Sequence, residues 1–286
     1  MTPGPVARWV QAARPRTLPA AVVPVVTGAA LVRPAGIAWF NSVLAAIVAL
    51  ALQVGTNYAN DYSDGVRGTD AQRVGPFRLT ASGLVPPARV RVAAAMAFGV
   101  AALGGLLLAA RTSWWLVAFG ATAILAGYLY TGGPKPYGYL GLGEVFVLAY
   151  FGFLATVGTV YAQGHGYGPS AWWLGLATGS MAVALLEANN LRDVDGDRAS
   201  GKRTLAARLG RRRAAWLYVA AALGVVVGVV GAGEPVVALL AAIAYAPGVR
   251  TAFSPREGRE LLPLLLYSSR VQLGLGALLV VVFALR

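Results

Sequence analysis

The sequence predicts an all-α, polytopic membrane protein of nine spanning helices, and three observations carry that expectation. The 286 residues are 57% hydrophobic and 12% charged, about half the charge of an ordinary soluble domain. Mean hydropathy is +0.64. Apolar runs near or above ~18 residues recur along the chain, and only a helix or a closed barrel satisfies its own backbone in lipid.

Polar and Pro/Gly breaks set the boundaries of the nine helices. The first, 17–33, follows the basic stretch ARPR, and the second, 37–61, runs into an Asp-rich cluster. The third, 88–110, starts after Pro86 and Pro87 and stops at Arg111, and the fourth, 113–131, ends at GGPKP. GLGE opens the fifth, 141–163, and QGHGYGP closes it, whereas the sixth, 170–192, ends in LRDVDGD. Three arginines precede the seventh, 212–232. Glu234 and Pro235 mark the eighth, 234–250, and the ninth is 261–285. The N-terminal segment lacks the compact basic, apolar and small-residue order of a cleaved signal, because its apolar run continues as the first span.

Charge places these helices in a membrane. Twenty of the 24 Lys and Arg residues fall on one side of the nine-helix topology, leaving Arg33, Arg111 and Arg286 opposite and Arg270 inside the last apolar run. By the positive-inside rule the N-terminus and the long loops are cytoplasmic, the C-terminus is outside, and the host is the cell membrane. The net charge of +13 is therefore topological, because a nucleic-acid partner would need the same residues on a soluble face. With no cysteine, thiolate chemistry and disulfides are excluded.

Carboxylates cost about 2.5–3.5 kcal/mol near a bilayer centre, so their positions carry information. Of 11 acidic residues, Asp61, Asp64, Asp70, Asp193, Asp195 and Asp197 lie at or just beyond the cytoplasmic ends of helices two and six. The two places resemble each other: NYANDYSDGVRGTD runs from Asn57 to Asp70 and NNLRDVDGDRASGKRT from Asn189 to Thr204. Each holds N-x-x-x-D, and the copies are 132 residues apart. Four helices separate them, so both motifs emerge on one face. The spacing implies one domain, 1–286, with parallel pseudo-repeats at about 14–132 and 141–250 and a ninth helix at 261–285.

Positions three and four apart share a helix face. Asn57, Asp61 and Asp64 therefore form one all-oxygen cluster, and Asn189, Asp193 and Asp197 another. Hard oxygen donors without His or Cys suit Mg²⁺, which keeps water and substrate phosphate in its octahedron. Two facing clusters would hold two Mg²⁺ on one diphosphate, with Arg67, Arg73, Arg78, Arg198, Lys202 and Arg203 as counter-charge. Asp195 falls between the shared-face positions and reads as a solvated loop residue. Asp70 is open between a metal or substrate contact and a turn.

These segments, together with RVGPFRLTASG and YTGGPKPYGYLGLGE, resemble the UbiA superfamily of intramembrane aromatic prenyltransferases. The likeness runs from ARPRTLPAA at Ala13 through the ninth helix and is strongest to the naphthoate branch of menaquinone synthesis. The resemblance implies nine helices around a central cavity and Mg²⁺-dependent transfer of a polyprenyl chain from its diphosphate to 1,4-dihydroxy-2-naphthoate, with loss of CO₂. The two family motifs map onto Asn57, Asp61 and Asp64 and onto Asp193 and Asp197. Asp64 comes three residues after Asp61, where the superfamily pattern has four. Asp61, Asp64, Asp193 and Asp197 are thus the expected metal ligands and, with Lys202, the catalytic set. Asn57, Arg67, Asp70, Arg78, Lys135, Tyr139, Asn189 and Arg203 are expected at the substrates, as is Arg16, or its neighbour Arg14, at the acceptor carboxylate.

Tyr58, Tyr62, Tyr128, Tyr130, Tyr137 and Tyr139 are open between cation stabilisation and an interfacial belt. Arg270 is expected to pair with a carboxylate such as Glu187; Glu144 caps a helix or orients the acceptor. His165 sits in an outer loop away from chemistry, and Arg211, Arg212 and Arg213 mark topology and lipid contact. Another aromatic acceptor (4-hydroxybenzoate, homogentisate or haem) would use the same diphosphate residues. The D-G-x-x-A-R core of CDP-alcohol phosphotransferases is absent. A secondary transporter would keep its coupling carboxylates near the midplane.

Overall fold

Long apolar stretches leave the backbone no partner but itself, and the computed structural model answers with helices throughout. The structure describes residues 4–69, 77–164 and 168–286. Its elements are α1 (Pro5–Ala12), α2 (Pro19–Leu31), α3 (Trp39–Val66), α4 (Pro87–Arg111), α5 (Trp115–Leu129), α6 (Gly143–Ala162), α7 (Pro169–Ala199), α8 (Leu205–Leu209), α9 (Arg211–Gly231), α10 (Pro235–Ala252) and α11 (Leu262–Ala284). Among the described residues, seven helices are long and apolar enough to cross a membrane, and the shorter apolar α2 and α5 occupy the other two expected positions. The chain is an integral membrane protein.

The differences from the expected segments have local causes. α2 spans 13 residues, roughly 20 Å at the helical rise and less than the hydrocarbon thickness. It is apolar all round and mostly buried between α3, α6, α7 and α11, so protein rather than lipid receives its ends. α3 and α7 run past the expected ends at 61 and 192 to Val66 and Ala199, which puts both Asp motifs on regular helix. α6 contains a π-helical stretch at Leu148–Leu154, an insertion that often re-aims side chains at functional sites. It packs against α7 with almost no separation: a Cβ at Gly152 would lie 2.5 Å from the Gly175 carbonyl oxygen and 2.7 Å from Gly179 Cα.

α7 is the centre of the molecule. Leu174, Ala177, Met181, Ala184, Ala188 and Leu191 are fully buried where α7 packs against α2, α6, α9 and α11. The alanines among them bring helices close enough for dispersion and lipid release to hold them. A separate cluster, Val25, Leu44, Ala45, Leu108 and Ala162, ties α2, α3, α4 and α6 near the opposite membrane face. Between the two clusters the helices part around a cavity.

Arg270 is exposed on α11 rather than paired with Glu187, which is 0% exposed on α7 beside Glu144. The helical phase of α11 turns Ser269 and Gln272 inward instead. Glu144 Oε1 accepts Asn190 Nδ2 at 3.1 Å. Arg211 braces α9, donating to Asp195 at 2.8 Å and to the Leu191 carbonyl at 3.1 Å. Asp195 is thus a surface ion-pair partner. His165 lies outside the described residues.

Candidate active site at the cavity mouth

Four segments converge where α3 and α7 end. The last turns of α3 present Asn57, Asp61 and Asp64 on one side, as the i, i+4, i+7 spacing requires, and all three are buried. Asp64 is the hub. Its Oδ2 receives Lys202 Nζ at 2.8 Å and its Oδ1 the Tyr139 hydroxyl at 2.7 Å, while Arg78 stands 3.7 Å away. Lys202 follows the second motif, so this ion pair joins the two motifs directly. Both partners are nearly excluded from solvent, where each depends on the other: removing one partner of such a pair costs about 3–5 kcal/mol.

Asp61 has a different environment. Its two oxygens accept the backbone N–H of Leu79 and Thr80, each at 2.8 Å. The bonds fasten the segment carrying Arg78 to α3, and hydrogen bonds to a charged group contribute about 1.5–3 kcal/mol each. Asp193 is held by its neighbour Arg192, whose Nε and Nη2 donate at 2.7 Å in a bidentate pair. Nothing in the motif spacing marked Arg192. Asp197 Oδ2 accepts the Thr204 hydroxyl at 3.2 Å, and Thr204 caps α8 through the Ala207 N–H.

The loop Tyr137–Leu140 lies over these residues. Arg203 N–H donates to the Tyr139 carbonyl at 3.2 Å, and Lys202 Nζ stands 5.0 Å from the Tyr139 ring centroid. Burial first, and then the Asp64 charge, push the Tyr139 hydroxyl well above its usual range, so it stays a donor. Arg67, expected at substrate, spends its guanidinium on the Thr131 and Gly133 carbonyls and stacks over Tyr139. It positions this loop. Lys135, Arg203 and Arg16 are exposed. Of Arg16, the carbonyl is engaged, accepting Ser269 Oγ at 2.8 Å. Asp70 and Arg73 lie outside the described residues.

Arg14, not Arg16, borders the cavity. It is the one non-glycine among the described residues with positive φ, at 56°, a conformation costing about 1–3 kcal/mol that surrounding contacts must sustain. Asn57 Nδ2 supplies one, donating to the Ala13 carbonyl at 2.9 Å. Asn189 lines the cavity too, bonded to the Leu185 carbonyl at 3.2 Å.

The cavity has a volume of about 440 Å³. Arg14, Gln53, Asn57, Asn60, Tyr130 and Asn189 form its polar end, and mainly Ala, Gly, Val, Leu and Phe residues of α2–α7 line the rest. Tyr130, Tyr137, Phe146 and Tyr150 make a continuous aromatic wall, with successive ring centroids 5.4, 3.9 and 6.1 Å apart. Leu106 and Phe119 line the cavity yet are 45% and 50% exposed, so the chamber opens sideways to lipid. An amphiphile with an anionic head and an apolar tail fits this shape.

The donor set around Asp64, Asp193 and Asp197 is all-oxygen, which suits Mg²⁺. Each carboxylate already has a cationic or hydroxyl partner, and no three acidic or histidine side chains among the described residues converge on one point. A metal would therefore exchange for partners such as Lys202.

A sequence profile of the UbiA prenyltransferase family matches residues 21–260. The chain is 47% identical over 269 residues to a 1,4-dihydroxy-2-naphthoate octaprenyltransferase of Mycobacterium tuberculosis, covering 91% of this chain and 90% of that one. It is 38% identical to the enzyme of that name from Escherichia coli, covering 71% and 68%. Its fold is similar to a UbiA homologue from Archaeoglobus fulgidus bound to DMAPP and Mg²⁺, with TM-score 0.69 at 13% identity over 96% and 99% of the two chains.

Proposed function

The chain belongs to the UbiA prenyltransferase family, and from that premise we propose that it transfers a polyprenyl group from polyprenyl diphosphate to 1,4-dihydroxy-2-naphthoate with loss of CO₂. The product would be demethylmenaquinol, in menaquinone synthesis. The observation that carries this reading is an apolar, membrane-open cavity whose polar end includes Asn60 on α3, one helical turn before Asp64 of the Asp64–Lys202–Tyr139 cluster. The naphthoate acceptor is supported by the two relatives being 1,4-dihydroxy-2-naphthoate octaprenyltransferases.

The diphosphate lies at the mouth, where Lys202, Arg78 and Arg203 meet its charge, with Lys135 at the rim. Asp61, Asp64, Asp193 and Asp197 are the proposed ligands for two Mg²⁺, with Asp61 also anchoring the Arg78 segment. When bound, Mg²⁺ supplies Lewis acidity that compensates the charge growing on the leaving diphosphate. As the allylic C–O bond breaks, its electrons pass to the diphosphate, and Lys202 is placed to follow that charge. The aromatic wall faces the allylic carbon and stabilises its positive charge while excluding water. The electron-rich ring then forms the new carbon–carbon bond and its carboxylate leaves as CO₂. Arg14 and Asn189, at the polar end of the cavity, hold that carboxylate and ring. The enzyme sits in the cytoplasmic membrane with its N-terminus and mouth cytoplasmic and its C-terminus outside.

The test is a mass-spectrometric assay of lipid-reconstituted protein with a polyprenyl diphosphate, offering dihydroxynaphthoate and 4-hydroxybenzoate together, with Mg²⁺ or with EDTA. The expected product is a prenylated, decarboxylated naphthoquinol formed only with Mg²⁺. Prenylated benzoate instead would move the acceptor, and no product from either would sink the reading.

A further inference from the structure

We propose that Gly105, Gly120 and Gly158 set the length of prenyl tail the enzyme accepts. The inference rests on the prenyl-transfer reading above and concerns the end of the cavity farthest from the diphosphate. The three glycines come from different helices, α4, α5 and α6, and all line the same cavity. A Cβ built on Gly105 or Gly120 meets nothing within 4 Å, and one on Gly158 meets only the Leu154 Cδ1 tip at 3.8 Å.

Other helical glycines here have a packing reason. A Cβ on Gly104 would press on Val48 at 3.1 Å and one on Gly127 would strike the Thr56 hydroxyl at 2.5 Å. Glycine weakens a helix relative to alanine, so where nothing crowds the missing Cβ, packing does not explain it. At these three positions the consequence of its absence is lumen width. Their depth fits a tail rather than a head group: Gly120 lies ten residues before Tyr130 on α5, roughly 15 Å along the axis, and Gly158 eight residues beyond Tyr150 on α6, roughly 12 Å. The charged and amide side chains of the cavity wall, Arg14, Gln53, Asn57, Asn60 and Asn189, are at the other end, and the Thr159 hydroxyl beside Gly158 is engaged by the Ala155 carbonyl. The occupant of the glycine end is therefore hydrocarbon, and the width these residues leave open decides whether a long tail can pass to the side opening at Leu106 and Phe119.

The test uses full-length Gly120→Phe, Gly105→Phe and, as a milder change, Gly120→Leu, with Gly99→Phe as control. Gly99 also has open space at its Cβ but is exposed on α4 and does not line the cavity. Each is assayed for kcat/KM with geranyl and with octaprenyl diphosphate. A side chain that must be displaced from an apolar pocket changes discrimination by tens-fold or more. The expected result is a fall of about tenfold or more in the octaprenyl-to-geranyl ratio for the cavity variants, smaller for Gly120→Leu, and an unchanged ratio for Gly99→Phe. Equal losses on both substrates, no change on either, or the same shift in Gly99→Phe would overturn the proposal. Wild-type protein that turns over neither diphosphate would defeat the prenyl-transfer reading itself, a result distinct from a wild type that is active beside unselective variants.

Discussion

The ends of α3 and α7 carry nearly the same letters and are wired in different ways. On α3, Asp61 and Asp64 reach partners far along the chain: the Leu79 and Thr80 amides, Tyr139, and Lys202. On α7, Asp193 is paired with the adjacent Arg192 and Asp197 with Thr204 a few residues on. The first motif therefore gathers distant segments, and the second holds Arg192 and the start of α8 nearby. Equal motifs can share a chemical task while differing in what the fold asks of them.

The largest effect should come from the hub. Asp64→Asn removes the charge that faces Lys202 and Arg78, and kcat/KM for the diphosphate is expected to fall by about 10³-fold or more, the scale of losing a charge-stabilising group. Turnover within tenfold of wild type in reconstituted membranes would break the contrast between the two ends.

The second motif sharpens it through stability. Asp193→Asn removes the charge that pairs with the buried Arg192 guanidinium, a loss of about 3–5 kcal/mol. The variant should lose prenyl transfer and show a clearly lower Tm in detergent. A Tm equal to wild type would mean that Arg192 does not depend on its neighbour.

Tyr139→Phe should have the smallest effect, about tenfold or less in KM for diphosphate, because it deletes one donor to Asp64 and leaves the ion pair. The sign of the hydroxyl's displacement also makes a pH prediction. A phenol pushed above its usual range keeps its proton through alkaline pH, so the Phe variant and wild type should lose activity at the same alkaline pH. An alkaline limb that disappears in the variant would show that Tyr139 itself titrates there.

The positions of the apolar helices and of the paired motifs were legible because membrane helices are specified locally, by length and hydropathy. Helix ends were less so: α3 and α7 continue through polar residues whose side chains find buried partners, and hydropathy cannot register that compensation. Within the site, spacing located Asp61, Asp64, Asp193 and Asp197. It could not distinguish Arg14 from Arg16, because a left-handed turn held by Asn57 decides which arginine faces the cavity. It also assigned Arg67 to substrate, although the guanidinium is occupied by the Thr131 and Gly133 carbonyls.

The sequence by itself determined an integral membrane protein with two acidic motifs, since hydropathy and fixed helical spacing act over a few turns, and prenyl transfer followed only from the resemblance of those motifs to a family. The tertiary structure alone decided that Lys202 meets Asp64, that Asp61 anchors the Arg78 segment, and that three glycines of separate helices border one lumen. Those relations join residues scores of positions apart, and only packing in three dimensions sets such distances.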